Sequence, residues 1–222
     1  MRKTFSFLLV CFAFLSFFAC KQEQKDSSNK ENNTILQKIA NAYGLNQWQN
    51  VDKLRYTFNV DRDSSHFERS WEWSPKTGEI VYTTADTTIK YNRKKVAELP
   101  KIDANFINDK YWLLFPFQLV WDTGFEYEVI ENQVAPISGK KLTQIWIKYR
   151  DETGYTPGDH YKIYIDKDFK IQEWEYFPKG SKEPRLQTTW QDYTQQNGIL
   201  IAKNHFNQNK NFQLYFTDVK IE

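Results

Sequence analysis

Cysteine is nearly absent from this chain. Of 222 residues only Cys11 and Cys20 carry a thiol, and both fall within the first twenty positions. Beyond Cys20 the chain can form no disulfide, no thiolate-held zinc site and no thiol nucleophile. Glycine is also scarce, at 8 residues, and none of it forms a phosphate-cradling loop. No serine lies in a nucleophile elbow that could work with the three histidines, His66, His160 and His205. An excess of one charge is missing too. Setting aside residues 1–19, which hold Arg2 and Lys3 and no acidic residue, reduces 30 basic residues to 28, equal to the 28 acidic ones. Nucleic-acid binding needs a clustered basic excess, so nothing here supports it.

Long apolar runs are limited to two. Phe5 to Phe18 follows Arg2 and Lys3 and has the length of the apolar core of an export signal. Tyr111 to Trp121 is the other; broken by Pro116, it is too short to span a bilayer and too apolar to sit in water.

The leader ends Phe17-Phe18-Ala19-Cys20 and gives way abruptly to Lys21-Gln-Glu-Gln-Lys-Asp. This resembles the type II signal of bacterial lipoproteins, in which a small residue precedes a cysteine that is acylated and becomes the mature N-terminus. Phe17 and Phe18 depart from it, since Leu and a small residue are usual there. An ordinary secretory signal with a coincidental cysteine is the alternative. The expected organisation is a signal peptide at 1–19, a lipid-attached Cys20 opening a polar tether through 33, and one domain from 34 to 222. Acyl chains would hold the protein to a membrane of the bacterial envelope, facing the periplasm or the surface.

An aromatic content of 17% with few glycines favours a β-rich fold. A first helix is expected over 33–43, where Ile35, Leu36, Ile39, Ala40 and Tyr43 share a face; Thr34 or Asn33 can cap it and Gly44 can stop it. From Leu54 the period becomes two, and alternation predicts strands at 54–60, 67–73, 79–84 and 87–91. After Pro100 the spacing of Phe106, Ile107, Lys110, Leu113 and Leu114 predicts a helix over 102–114, ended or kinked by Pro116. Strands are expected again at 125–130, 141–149, 160–165, 170–177, 185–193, 200–207 and 212–221. An antiparallel sheet this long curls to hide its apolar face.

Three stretches carry a resemblance: Trp48-Gln-Asn-Val-Asp-Lys-Leu-Arg-Tyr-Thr-Phe58, Tyr111-Trp-Leu-Leu-Phe-Pro-Phe117, and Tyr155 to Asp166 leading to Trp174-Glu-Tyr176. With these the chain resembles the LolA/LolB-like superfamily of envelope carriers, in particular its uncharacterised lipoprotein members from Bacteroidota. The resemblance implies a mainly β fold, a single incompletely closed antiparallel barrel whose concave face is covered by helices. It also implies a non-enzymatic cavity for a lipid or for the acyl chains of a lipidated protein. No individual functional residue transfers with it, and no cofactor is implied. A monomer is expected.

The central run supplies most of the candidate site. Tyr111, Trp112, Leu113, Leu114, Phe115, Phe117 and Trp121 are the wide apolar walls an acyl chain requires, unless they simply plug the sheet as core. Trp71 and Trp73 share a strand face, as do Trp174 and Tyr176, and Trp190 joins them. On a concave face they line the same cavity; on a convex face they would form a glycan- or protein-binding platform. Asp61, Asp63 and His66 have the side chains of a metal group, yet they sit where a hairpin turn favours Asp and Ser, and no metal site is expected. Asp159 and His160 are adjacent on a strand and point to opposite faces, so they do not make a general base with its orienting carboxylate.

Overall fold

The computed structural model describes residues 34–95 and 100–222. The signal peptide, Cys20 and the tether lie outside the described residues. Helix α1 (Ile35–Ala42) begins at Thr34, whose side chain accepts the Gln37 N–H at 3.2 Å. It ends at Gly44, in the left-handed region at φ 89°. A Cβ there would collide with the carbonyl oxygen of Gly198, so the absence of a side chain lets α1 close on a distant turn. A short 3-10 helix, Leu45–Asn50, follows; the sequence pattern does not announce it.

Among the described residues twelve strands form two antiparallel sheets. The first holds β1 (Leu54–Arg62), β2 (Ser65–Ser74), β3 (Glu79–Thr83), β4 (Thr88–Asn92), β10 (Gln191–Gln196), β11 (Ile199–Phe206) and β12 (Phe212–Ile221), in the order β10-β11-β12-β1-β2-β3-β4. The second holds β5 (Phe125–Val134), β6 (Lys141–Tyr149), β7 (His160–Ile165), β8 (Ile171–Phe177) and β9 (Leu186–Thr189), in that order. Alternation places Leu54, Tyr56 and Phe58 of β1 on the buried face, beside Trp71 of β2 and Leu214 and Phe216 of β12. In the second sheet Ile145, Ile147, Tyr161, Ile163 and Trp174 do the same.

Helix α2 (Asp103–Trp121) connects the halves of the chain and packs between the sheets. Its Phe106 meets Trp71 and Trp73 of the first sheet at ring distances of 5.3 and 5.5 Å. Its Trp112 meets Trp174 of the second at 4.2 Å. The helix is kinked at Pro116, one of the two outcomes expected there, and continues beyond it. Leu114 takes up the distortion, at φ −116° and ψ 23°, which relieves the clash a proline ring makes with the preceding turn. Every residue from Asp109 to Leu119 is buried, so packing on all sides outweighs the break.

The expected strand at 185–193 is two strands in different sheets. Trp190 separates them: its N–H still reaches the Gln172 carbonyl of β8 at 2.8 Å, and the chain then turns with Asp192 at φ 55° into β10. Strand β5 is longer than expected because a bulge around Asn132, at φ 58°, carries pairing on to Val134.

Candidate functional site

One end of the space between the sheets is not filled. A cavity of about 630 Å³ opens there, within the range of small-molecule sites. Strand β1 contributes Phe58, Val60 and Arg62, which alternation puts on one face; their neighbours Phe67 on β2 and Phe212 and Leu214 on β12 continue the wall. Across from it stand Tyr161 of β7, Trp174 and Tyr176 of β8, and Leu186 of β9. The β6–β7 loop adds Tyr155, Thr156 and Asp159. The remaining wall is a face of α2: Ala104, Ile107, Asn108, Tyr111 and Trp112 recur at three- and four-residue spacing.

The lining runs from aromatic and buried inside to polar and open at the mouth. Tyr111, Trp112, Tyr161 and Trp174 are buried, whereas Phe67 is 47% exposed and Arg62 is exposed. Burial pushes the Tyr111, Tyr155 and Tyr161 phenols up, so they stay neutral at physiological pH. Tyr111 stacks on Tyr155 at 5.1 Å and its hydroxyl donates to that of Tyr149 at 3.3 Å. The Trp174 indole N–H has no acceptor among the described residues. Asp159 accepts the Tyr176 hydroxyl at 3.2 Å and the Lys179 N–H at 3.0 Å.

Of the nine aromatic and aliphatic residues read from sequence, Tyr111 and Trp112 line this cavity. Leu113, Leu114, Phe115 and Phe117 are buried in the continuous core on the other sides of α2. Trp71 is buried and donates its indole N–H to Asp109 at 2.7 Å. Trp73 packs on Phe106 and on Trp48, at 5.5 and 5.7 Å, and Trp121, the last residue of α2, packs on Trp48 at 5.1 Å. Trp121 is 38% exposed. Trp174 and Tyr176 face the cavity; Trp190 is buried beside His205, at 4.6 Å. Trp71, Trp174 and Trp190 therefore offer no surface platform for a glycan.

Most of the lining escaped the sequence reading, and the signal that marks it is the inward alternation of β1, β8 and β12. A cavity lined by one residue from each of several strands leaves no contiguous motif. Of the histidine and carboxylate groups, Asp159 lines the cavity, whereas Asp61, Asp63 and His66 are not in its lining. His66 is exposed, with Nδ1 2.6 Å from Asp61 and Nε2 3.4 Å from Glu68, while Asp63 makes the β1–β2 turn at φ 52°. Among the described residues no three His, Cys, Asp or Glu side chains gather as metal ligands would.

No protein-family model matches the chain, and no curated protein matches it. Solved structures do. Its structural neighbours include a LolA superfamily protein. That protein, from Nitrosomonas europaea, is 10% identical, with 85% of this chain and 92% of that one covered at a TM-score of 0.47. A DUF1329 family protein from Desulfovibrio piger is 11% identical, over 83% of this chain and 92% of that one, at 0.44. MucB in complex with MucA(peri) is 12% identical, over 83% of this chain and 54% of that one, at 0.25. At these identities the likeness reaches no individual residue.

Proposed function

We propose that this chain binds a hydrophobic ligand, a lipid or the acyl chains of a lipidated protein, in the cavity beside α2 and catalyses no reaction on it. The observation that carries this reading is the wall itself. Rings and aliphatic side chains from both sheets and from α2 surround about 630 Å³ that opens to solvent. A methylene group moved from water into such a space gains about 0.8 kcal/mol, so an acyl chain of about ten contributes about 8 kcal/mol against the cost of association. The deeper lining, Phe58, Tyr111, Trp112, Tyr161, Trp174 and Leu214, is almost wholly rings and aliphatic carbon, which suits an acyl chain better than a hydroxyl-rich sugar.

In this reading the two sheets act as one incompletely closed barrel. Strands β9 and β10 follow each other across Trp190 alone, which makes them the hinge line of the curve, and α1 and α2 cover its concave side. Residues 34–222 form one domain. Cys20, acylated after removal of residues 1–19, holds that domain through a polar tether to an envelope membrane, where lipid is at hand.

Displacement of an environment-sensitive naphthylamine dye by dodecanol tests the reading. The dye should bind the wild-type domain and be displaced, and Ala104→Trp should abolish both effects. Ala104 lines the cavity but is exposed, so a larger side chain there fills space without disturbing the core. Dye binding that Ala104→Trp leaves intact would place any apolar site elsewhere.

A further inference from the structure

The described residues include six arginines, and four of them have carboxylate partners. Arg55 pairs with Glu72 at 2.7 Å, Arg69 with Asp109 at 2.6 Å, Arg93 with Asp103 at 2.8 Å and Arg150 with Glu126 at 3.6 Å. Arg62 and Arg185 have no carboxylate within ion-pair distance among the described residues. Arg62 lines the mouth of the cavity, and Arg185 is an exposed residue at the start of the opposite wall. The Arg62 guanidinium lies 5.5 Å above the Phe212 ring, which also lines the cavity. Arg185 directly precedes the lining residue Leu186, and its charge acts on the Tyr176 phenol of the same wall.

The one carboxylate in the lining, Asp159, is already engaged with the Tyr176 hydroxyl and the Lys179 N–H. Lys179 in turn pairs with Asp151 at 3.2 Å. The lining is therefore left with one free guanidinium, Arg62, and a second close by in sequence to its opposite wall, Arg185, against one occupied carboxylate, with uncharged side chains deeper in. An amphiphile matches that division when its chain fills the interior and its head is an anion.

We propose that the ligand is an anionic single-chain amphiphile, with Arg62 as the main contact to its head group and Arg185 as a second contact from the opposite wall. This deepens the proposed function and rests on it. A carboxylate and a phosphate share the required chemistry, since a guanidinium can donate two parallel N–H bonds to either. Arg62 comes pre-oriented on Phe212, so less side-chain freedom is lost when an anion arrives.

The test uses four probes of matched chain length on the purified domain: dodecanoate, dodecanoyl-lysophosphatidylglycerol, dodecanoyl-lysophosphatidylcholine and dodecanol. Affinities are read by dye displacement at low and high salt, in the wild type and in Arg62→Gln, Arg185→Gln and the double variant. The proposal expects the two anionic probes to bind about tenfold more tightly than dodecanol at low salt. That advantage should fall in each single variant, vanish in the double variant, and shrink as salt rises, with dodecanol affinity unchanged throughout. Tight dodecanoate with weak lysophosphatidylglycerol would identify a free carboxylate as the head; the reverse would identify a phosphodiester. Equal binding of dodecanol and the anionic probes by the wild type would overturn the head-group assignment and leave the cavity reading standing. An equal loss of all four probes in the arginine variants would also overturn it. Binding of none of the four by the wild type would overturn both.

Discussion

Arg69 and Asp109 form a bidentate ion pair between β2 and α2, with Nε and Nη2 each 2.6 Å from a carboxylate oxygen. The side chains are 10% and 0% exposed. Asp109 also accepts the Trp71 indole N–H at 2.7 Å and the Asn108 amide at 3.0 Å. Burial pushes its carboxyl up, and Arg69 pulls it back only in part. A pair so deeply buried contributes little net stability, but it is costly to break, because the partner is left charged and dry. Its place in the fold is to fix α2 against the first sheet, at the same level of the helix as the lining residues Asn108, Tyr111 and Trp112.

Asp109→Ala should therefore destabilise the domain by about 3–5 kcal/mol. The double replacement Arg69→Met, Asp109→Leu should recover most of that loss. Urea midpoints of Arg69→Met, Asp109→Leu and the double variant measure the coupling. Equal losses in the single and double variants would show that the pair acts only through the space it fills.

Lys110, the next residue on α2, is buried with no ion-pair partner among the described residues. Its ammonium lies 4.8 Å from the Tyr155 ring, 5.5 Å from Trp73 and 6.0 Å from Trp121. Burial, with Arg93 adding to it, brings its pKa down to about 8. The unfolded chain keeps the proton to about pH 10.4, so the folded state bears the full cost of the charge below pH 8 and sheds it as pH rises. Lys110→Met should raise stability by about 1–3 kcal/mol at pH 7, the rings offsetting part of the burial cost. The gain should fade between pH 8 and 10.4. A gain independent of pH would show that packing, not charge, is responsible.

His205 is enclosed by Trp112, Trp190 and Phe216, at ring distances of 5.3, 4.6 and 6.1 Å. Its Nε2 has no hydrogen-bond partner among the described residues, and burial drives its pKa down to about 3. The unfolded chain takes up a proton near pH 6.5, whereas the folded state refuses one until about pH 3. Stability is thus complete above pH 6.5 and falls through that window by about 1.4 kcal/mol per pH unit. His205→Leu should remove this component. The difference in urea stability between wild type and variant, followed from pH 7 to 4, checks it; parallel pH profiles would count against it.

Much of the fold can be read from the chain because alternation is strong where one strand face is buried. Strands β6, β7 and β12 fall at the residues their patterns predict. Two features resist such reading. Pro116 forecasts the kink that α2 shows at Leu114, but not that the helix goes on to Trp121, which follows from the burial of α2 on every side, a tertiary effect. Trp190 looks like the middle of one strand because its neighbours alternate correctly on both sides; the change of sheet depends on partners distant in sequence. The site follows the same logic. Tyr111 and Trp112 stand out in an apolar run, but the same run supplies Leu113, Leu114, Phe115 and Phe117, and composition cannot say which side of α2 meets a cavity. Arg62 is a polar residue at a strand end, and its role at the mouth appears only when β1 faces β8.

The central claim is that the space beside α2 holds a lipid, and native mass spectrometry of protein purified from the cell envelope tests it most directly. The wild type should carry a co-purifying adduct of lipid mass that gentle activation releases, and Ala104→Trp, prepared in parallel and equally folded, should carry none. A wild type free of any adduct, or an adduct that persists in Ala104→Trp, would contradict the account.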